Sequence, residues 1–263
     1  MTVNVEQNRL EENVTVAASH GTLRRSMLRA AVGGASALGA LGVLGSGTAT
    51  AASPLHTPPS PASSPPTRPV RTPRAALQAL LDGNRRWRTS TQRHPNEDPA
   101  ARRRAIAGQA PFAVVLGCID SRVPPEHVFD QGLGDLLTPR SAGQVLDESV
   151  IGSVEYGVVA LRIPLVVVLG HQSCGAVKSA IEIEQTGEQL PGSIQYIAER
   201  IWPAIDQTQQ GDARLNATTD ANALMIRDQL AALPTLATRI AAGQLSVVSA
   251  RYELTDQSVR LLP

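Results

Sequence analysis

Two short apolar runs constrain this chain more than any other feature. One is Phe112-Ala113-Val114-Val115-Leu116-Gly117-Cys118, which follows Pro111; the other is Pro164-Leu165-Val166-Val167-Val168-Leu169-Gly170. Neither alternates polar with apolar residues, and each is bounded by proline and glycine. That pattern predicts strands buried on both faces, and such strands need helices above and below them. Helix-like spacings supply the cover over Arg74–Arg88 (capped by Thr72-Pro73), Pro99–Gly108, Asp147–Leu161, Gly175–Gln185, Ile194–Ala204 and Thr219–Ala242, the last with a break at Pro234. Weaker strands are expected over Asp135–Pro139, Gln244–Tyr252 and Val259–Leu262. Strands alternating with helices predict an α/β fold with a mostly parallel central sheet flanked by helices. In such sheets ligands bind at the carboxyl ends of the strands.

The two strongest strands end in the two segments richest in chemistry. These are Cys118-Ile119-Asp120-Ser121-Arg122 and His171-Gln172-Ser173-Cys174. A histidine and a cysteine three residues apart fit one metal ion from a single strand-to-helix turn, and Cys118 offers a third donor from the neighbouring strand end. Two thiolates and an imidazole form a zinc donor set with a fourth position open. The competing reading is a Cys118–Cys174 disulfide. Two cysteines taken alone in an exported chain favour it, but a disulfide has no use for His171 or for the Asp120-x-Arg122 pair. Asp120 beside two thiolates needs a counter-charge, and Arg122 can supply it as a charge-assisted pair. His20, His56, His94 and His127 carry no comparable pattern; the first two precede the folded region and the last two are expected on the surface.

Composition limits the partners. Basic residues number 24 and acidic residues 23, leaving a net charge of +1, so the basic excess of a nucleic-acid-binding domain is missing. Aromatics are 3% of the chain, which leaves the core to Ala, Val, Leu and Ile. The N-terminal region reads as an address. Arg24-Arg25 precedes a Gly- and Ala-rich apolar run from Ala30 to Gly47, and Ala49-Thr50-Ala51 follows as a small-residue cleavage site. The arginine pair resembles a twin-arginine export signal. The run is too short and too rich in glycine for a membrane span, so no stable membrane insertion is expected after cleavage. Residues 1–51 are therefore assigned to a signal peptide, residues 52–72 to a Pro/Ser/Thr-rich linker, and residues 73–263 to one folded domain, exported and either secreted or associated with the cell wall.

The motifs also resemble a known family. Cys118-Ile119-Asp120-Ser121-Arg122 is similar to the C-x-D-S-R signature of the β-class carbonic anhydrases. Gly170-His171-Gln172-Ser173-Cys174-Gly175-Ala176 is similar to their G-H-x-x-C-G-A signature, and Ser153-Val154-Glu155-Tyr156-Gly157 to their S-x-E-Y-A helix. The resemblance spans about Arg74 to Leu262. It implies one Zn2+ per chain held by Cys118, His171 and Cys174, and reversible hydration of carbon dioxide to bicarbonate and a proton by zinc-bound hydroxide. It further implies that the Asp120–Arg122 pair orients the hydroxide, with Asp120 as fourth ligand in a closed state, and that the chain forms a homodimer or a higher even oligomer. A zinc hydrolase of carbon disulfide or carbonyl sulfide, or a non-catalytic exported domain, are the alternatives. Two departures stand out. Arg140-Ser141-Ala142-Gly143-Gln144 replaces the family's R-N-A-G-N, and Gly157 stands where alanine is usual, a change expected to be harmless.

Overall fold

A computed structural model describes residues 70–263. The expected signal peptide, and the linker up to residue 69, lie outside the described residues. Helix α1 (Pro73–Arg88) begins where the sequence predicts, with the Thr72 side chain accepting a hydrogen bond from the Ala75 N–H and proline in the first turn. Then follow α2 (Pro99–Ala105), β1 (Ala113–Gly117), the short α3 (Pro125–Val128) and β2 (Leu136–Leu137). A 3-10 turn, Ala142–Gln144, leads to α4 (Glu148–Val159), β3 (Leu165–His171), α5 (Gly175–Thr186) and α6 (Ile194–Ile201). A second 3-10 turn at Trp202–Ala204 precedes α7 (Gly211–Ala231), α8 (Pro234–Ala241), β4 (Ser246–Tyr252) and β5 (Val259–Leu261).

The five strands form one sheet in the order β2-β1-β3-β4-β5. The first four run parallel, and β5 closes the edge antiparallel to β4. Both apolar runs occupy the centre as predicted, and every residue of β1 and β3 is buried. Their side chains divide between the two faces. Val114, Leu116, Val166 and Val168 pack against Val154 and Val158 of α4, Ala223, Ile226 and Leu230 of α7, and Leu236 of α8. Val115, Leu165, Val167 and Leu169 pack on the opposite face against Ala76 and Leu80 of α1 and Val128 and Phe129. At about 25 cal/mol per Å2 of apolar surface, each such side chain contributes roughly 1.5–3 kcal/mol.

The sequence expectations differ from the structure in three places. The helix expected from Thr219 starts at Gly211, because its polar first turns bury Arg214, whose guanidinium donates to the Asp206 carbonyl, Glu184 and Gln207. The Asp135–Pro139 strand shrinks to two residues plus an isolated bridge between Gly117 and Arg140. The helix expected through Ala204 becomes a 3-10 turn at Pro203, whose ring cannot donate to the helical ladder. Gly157 also proves tightly enclosed: a Cβ there would lie 2.7 Å from Leu137 Cδ2 and 2.9 Å from Val114 Cγ2. The glycine lets α4 sit closer to β1 and β2 than alanine would.

Candidate metal centre

Parallel pairing places the three expected ligands together. Gly117 at the end of β1 pairs with Leu169 of β3, and His171 at the end of β3 pairs with Tyr252. Cys118 therefore leaves the sheet one register position from His171. Ser173 then takes a left-handed backbone (φ 55°), which turns the chain sharply and brings Cys174 back as the N-cap of α5. The donor atoms of Cys118, His171 and Cys174 all lie within 4.8 Å of one another, and all three residues are buried. Among the described residues this is the one cluster of its kind. Both cysteines are free thiols.

The donor set fits zinc on more than proximity. His171 Nδ1 lies 2.9 Å from the Gln172 carbonyl. A carbonyl only accepts, so Nδ1 carries the proton and Nε2 presents its lone pair. That Nε2 is buried with no hydrogen-bond partner. An orphaned buried acceptor costs about 1–3 kcal/mol, and a cation among the two sulfurs would remove that cost. The carbonyl that fixes the tautomer is itself held: the Gln172 N–H donates to Tyr252 O at 2.9 Å, and Gln172 Oε1 accepts from the Thr255 N–H at 3.1 Å. The sulfurs show matching electrostatics. A hydrogen bond from Cys174 holds the Cys118 thiol well below the ordinary thiol range, against the opposing effect of burial, with further help from the Gly143 N–H. The same contact, with burial, pushes the Cys174 thiol up. A divalent cation between them would favour the thiolate form of both.

Asp120 and Arg122 form the lip of this cluster. Arg122 Nε donates to Asp120 Oδ1 at 2.9 Å and its Nη2 to Oδ2 at 2.7 Å, a bidentate pair, while the Arg122 N–H donates to Oδ1 at 2.9 Å. The guanidinium hydrogen bond comes first in pulling the Asp120 carboxyl down to about 2, with burial opposing. Asp120 Oδ2 lies 4.0 Å from His171 Nε2, so the carboxylate faces the cluster without entering it.

Sequence reasoning missed the residues that hold this geometry. Arg140 donates from Nε to the Cys118 carbonyl at 2.8 Å and from Nη2 to the Asp120 carbonyl at 2.7 Å, fixing the backbone of the first motif. The Gly143 N–H donates to Cys118 Sγ at 3.4 Å. Both belong to the Arg140–Gln144 segment, whose similarity to the family was the available signal. Asn222 on α7 donates to the Gly143 carbonyl at 2.8 Å, and no motif marks it. His94 and His127 are exposed and outside the cluster, as expected.

Known proteins are similar to this chain in sequence and in fold. A family model described as carbonic anhydrase matches residues 113–259. A carbonic anhydrase of Mycolicibacterium smegmatis is 41% identical over 197 residues, covering 73% of this chain and 95% of that protein. Carbonic anhydrase 2 of Mycobacterium tuberculosis is 38% identical over 192 residues, covering 72% of this chain and 92% of that protein. Among solved structures, a Coccomyxa β-carbonic anhydrase in complex with acetazolamide superposes with a TM-score of 0.58 at 25% identity, over 71% of this chain and 86% of that one. With the matched region enclosing both cysteines, His171 and the Asp120–Arg122 pair, the chain belongs to the β-class carbonic anhydrase family.

Proposed function

We propose that this protein is a zinc-dependent carbonic anhydrase that interconverts carbon dioxide with bicarbonate and a proton. One observation carries the reading: an unpartnered His171 Nε2 and two buried sulfurs converge beneath a carboxylate that an arginine holds in place. Cys118, His171 and Cys174 would hold the zinc. When bound, the metal supplies a Lewis acid that acidifies a water molecule for attack on carbon dioxide.

The remaining roles belong to the chain's own side chains. Asp120, drawn down to about 2, is ionised across the neutral range and cannot retain a proton there. It therefore acts as a hydrogen-bond acceptor that orients the attacking water, and not as a proton store. Arg122 keeps both carboxylate oxygens turned to their task. If Arg122 let go, Asp120 would be free to swing inward as a fourth ligand and close the site. The product proton leaves to buffer.

Two further parts of the proposal draw on sequence. The Arg24-Arg25 pair, the apolar run and Ala49-Thr50-Ala51 support export by a twin-arginine route, with the Pro-rich linker as tether or spacer. No helix among the described residues is long and apolar enough to cross a membrane. Tyr156 and Val159 on α4, together with Ile194 and Trp202, are large apolar side chains left exposed, which supports self-association into a dimer or higher even oligomer.

Zinc content and carbon dioxide hydration of the purified protein test the central reading. About one zinc per chain with measurable turnover is expected, and comparative turnover of carbonyl sulfide and carbon disulfide checks the substrate. A protein that binds zinc but turns over only a sulfur-containing substrate would overturn the assignment. Retention of an Arg24→Lys, Arg25→Lys double variant inside the cell tests the export route.

A further inference from the structure

The geometry points to Asn222 as a positioning residue for the ligand Cys118, acting through the main chain of Gly143; the inference rests on the zinc reading above. Asn222 lies on α7, more than a hundred residues from Cys118, and is fully buried. Its Nδ2 donates to the Gly143 carbonyl at 2.8 Å, and its Oδ1 has no partner. The helix gains nothing from that oxygen, because a buried polar atom left unpaired costs about 1–3 kcal/mol. A leucine of similar size would pack there without that cost. What the amide uniquely supplies is the bond to Gly143.

Gly143 is where that bond matters. Its backbone is left-handed (φ 62°, ψ 20°), and so is that of the next residue, Gln144 (φ 59°). Two successive left-handed residues, one of them not glycine, form an arrangement that the surroundings must enforce. The segment has little room: a Cβ on Gly143 would lie 2.8 Å from Ile201 Cδ1 and 3.3 Å from Ala176 Cβ. Asn222 holds the carbonyl end of the residue, and the N–H end meets Cys118 Sγ at 3.4 Å. An N–H aimed at a thiolate withdraws electron density from the sulfur and fixes the direction of its remaining lone pairs. Asn222 thus orients a ligand that it does not touch. Such outer contacts typically govern metal affinity by 10–100-fold.

The test uses the full chain loaded with zinc or with cobalt(II). In Asn222→Leu we expect zinc affinity, read by competition with a chromophoric chelator, to weaken by about tenfold. The thiolate-to-cobalt charge-transfer band should shift to longer wavelength, because the sulfur lone pair loses its hydrogen bond. Asn84→Leu serves as the control. Asn84 is another buried asparagine; it donates to Val128 O and Gln257 O and accepts from the Val259 N–H, on the far side of the sheet from α7. Its replacement should lower Tm yet leave both the band and the affinity at parental values. If Asn222→Leu fails to fold, Asn222→Ser, which withdraws the amide without adding volume, is read in the same way. A band and an affinity equal to the parent's in a folded Asn222 variant would overturn the inference and leave the zinc reading intact. A parent that binds neither metal would overturn both.

Discussion

The carboxyl edge of the sheet carries two polar clusters side by side, one centred on the buried Arg251 and one on the buried His171, and they are built on different plans. His171 at the end of β3 pairs in register with Tyr252, and Gly170 with Arg251. Around Arg251 acceptors crowd the guanidinium, although Nε itself makes only an ion-pair contact and no hydrogen bond. Its Nε lies 2.9 Å from Glu253 Oε1, and its Nη groups donate to the Asn216 carbonyl and side chain, Asp220 and Glu253. Arg260 binds the same two acids from the antiparallel edge strand. Two cations meet two anions, and little is left over for a ligand. One strand away, two sulfurs and an imidazole nitrogen converge, and that nitrogen has no hydrogen-bond partner. Arg251 is as buried as the metal ligands, yet only around those ligands do several groups direct unused bonding capacity at a common point. That difference, and not burial or polarity, separates a binding site from a structural network.

The contrast is open to direct attack. The largest effect is expected at the ligands: Cys118→Ser, His171→Ala or Cys174→Ser should each lose zinc and bring hydration to background. Full metal content in any two of these variants, by atomic absorption, would erase the distinction. Next is Arg251→Met. It strands Asp220 and Glu253 with only Arg260, and should cost about 3 kcal/mol of stability in urea unfolding while leaving zinc content whole. Loss of zinc in that variant would mean that the two clusters are one unit. Arg122→Ala should keep zinc and lower turnover on the order of a hundredfold, the scale of one preorganised hydrogen-bonding element. Parental activity in that variant would reduce the Asp120–Arg122 pair to a structural contact.

The smallest effect concerns pH. Arg122 lowers the Asp120 carboxyl to about 2, so the stabilisation from this pair is present above the ordinary carboxylate pKa of about 3.9. It declines as pH falls below that value and is gone once pH has passed through about 2. Turnover should nevertheless rise from neutral to alkaline pH. Two thiolates cancel the charge of a divalent ion, so water is acidified less than it would be among three imidazoles. An acid limb with its midpoint at pH 4 or below would assign the titration to Asp120 and contradict this account.

Much of this was legible in the residues, and the rest was not for physical reasons. The central strands were readable because full burial leaves a continuous apolar run, as in Val114–Leu116 and Leu165–Leu169. The ligands were readable because a strand-to-helix turn fixes His171 and Cys174 at short spacing. The first turns of α7 were not, since their helix is held by the buried Arg214 network and not by an apolar stripe. Nor were the supports behind the ligands. Arg140 and Asn222 act on main-chain carbonyls, and a carbonyl partner leaves no trace in sequence spacing. Gly157 shows the same limit. The sequence marks it only as a change from alanine; the close approach of α4 to β1 that it permits shows in the structure alone.

The placement of the ligands on two strand ends and one helix start has a topological consequence. Cys118 and Cys174 are joined by a long stretch of chain that includes β2, α4 and β3, and an ion bound by both would tie its two ends together. If both thiolates kept the ion after unfolding, the tie would remove loop-closure entropy as a disulfide does, on the order of 4 kcal/mol for a loop of this length. A bound zinc would then also be a cross-link, one that a chelator could cut without breaking a covalent bond.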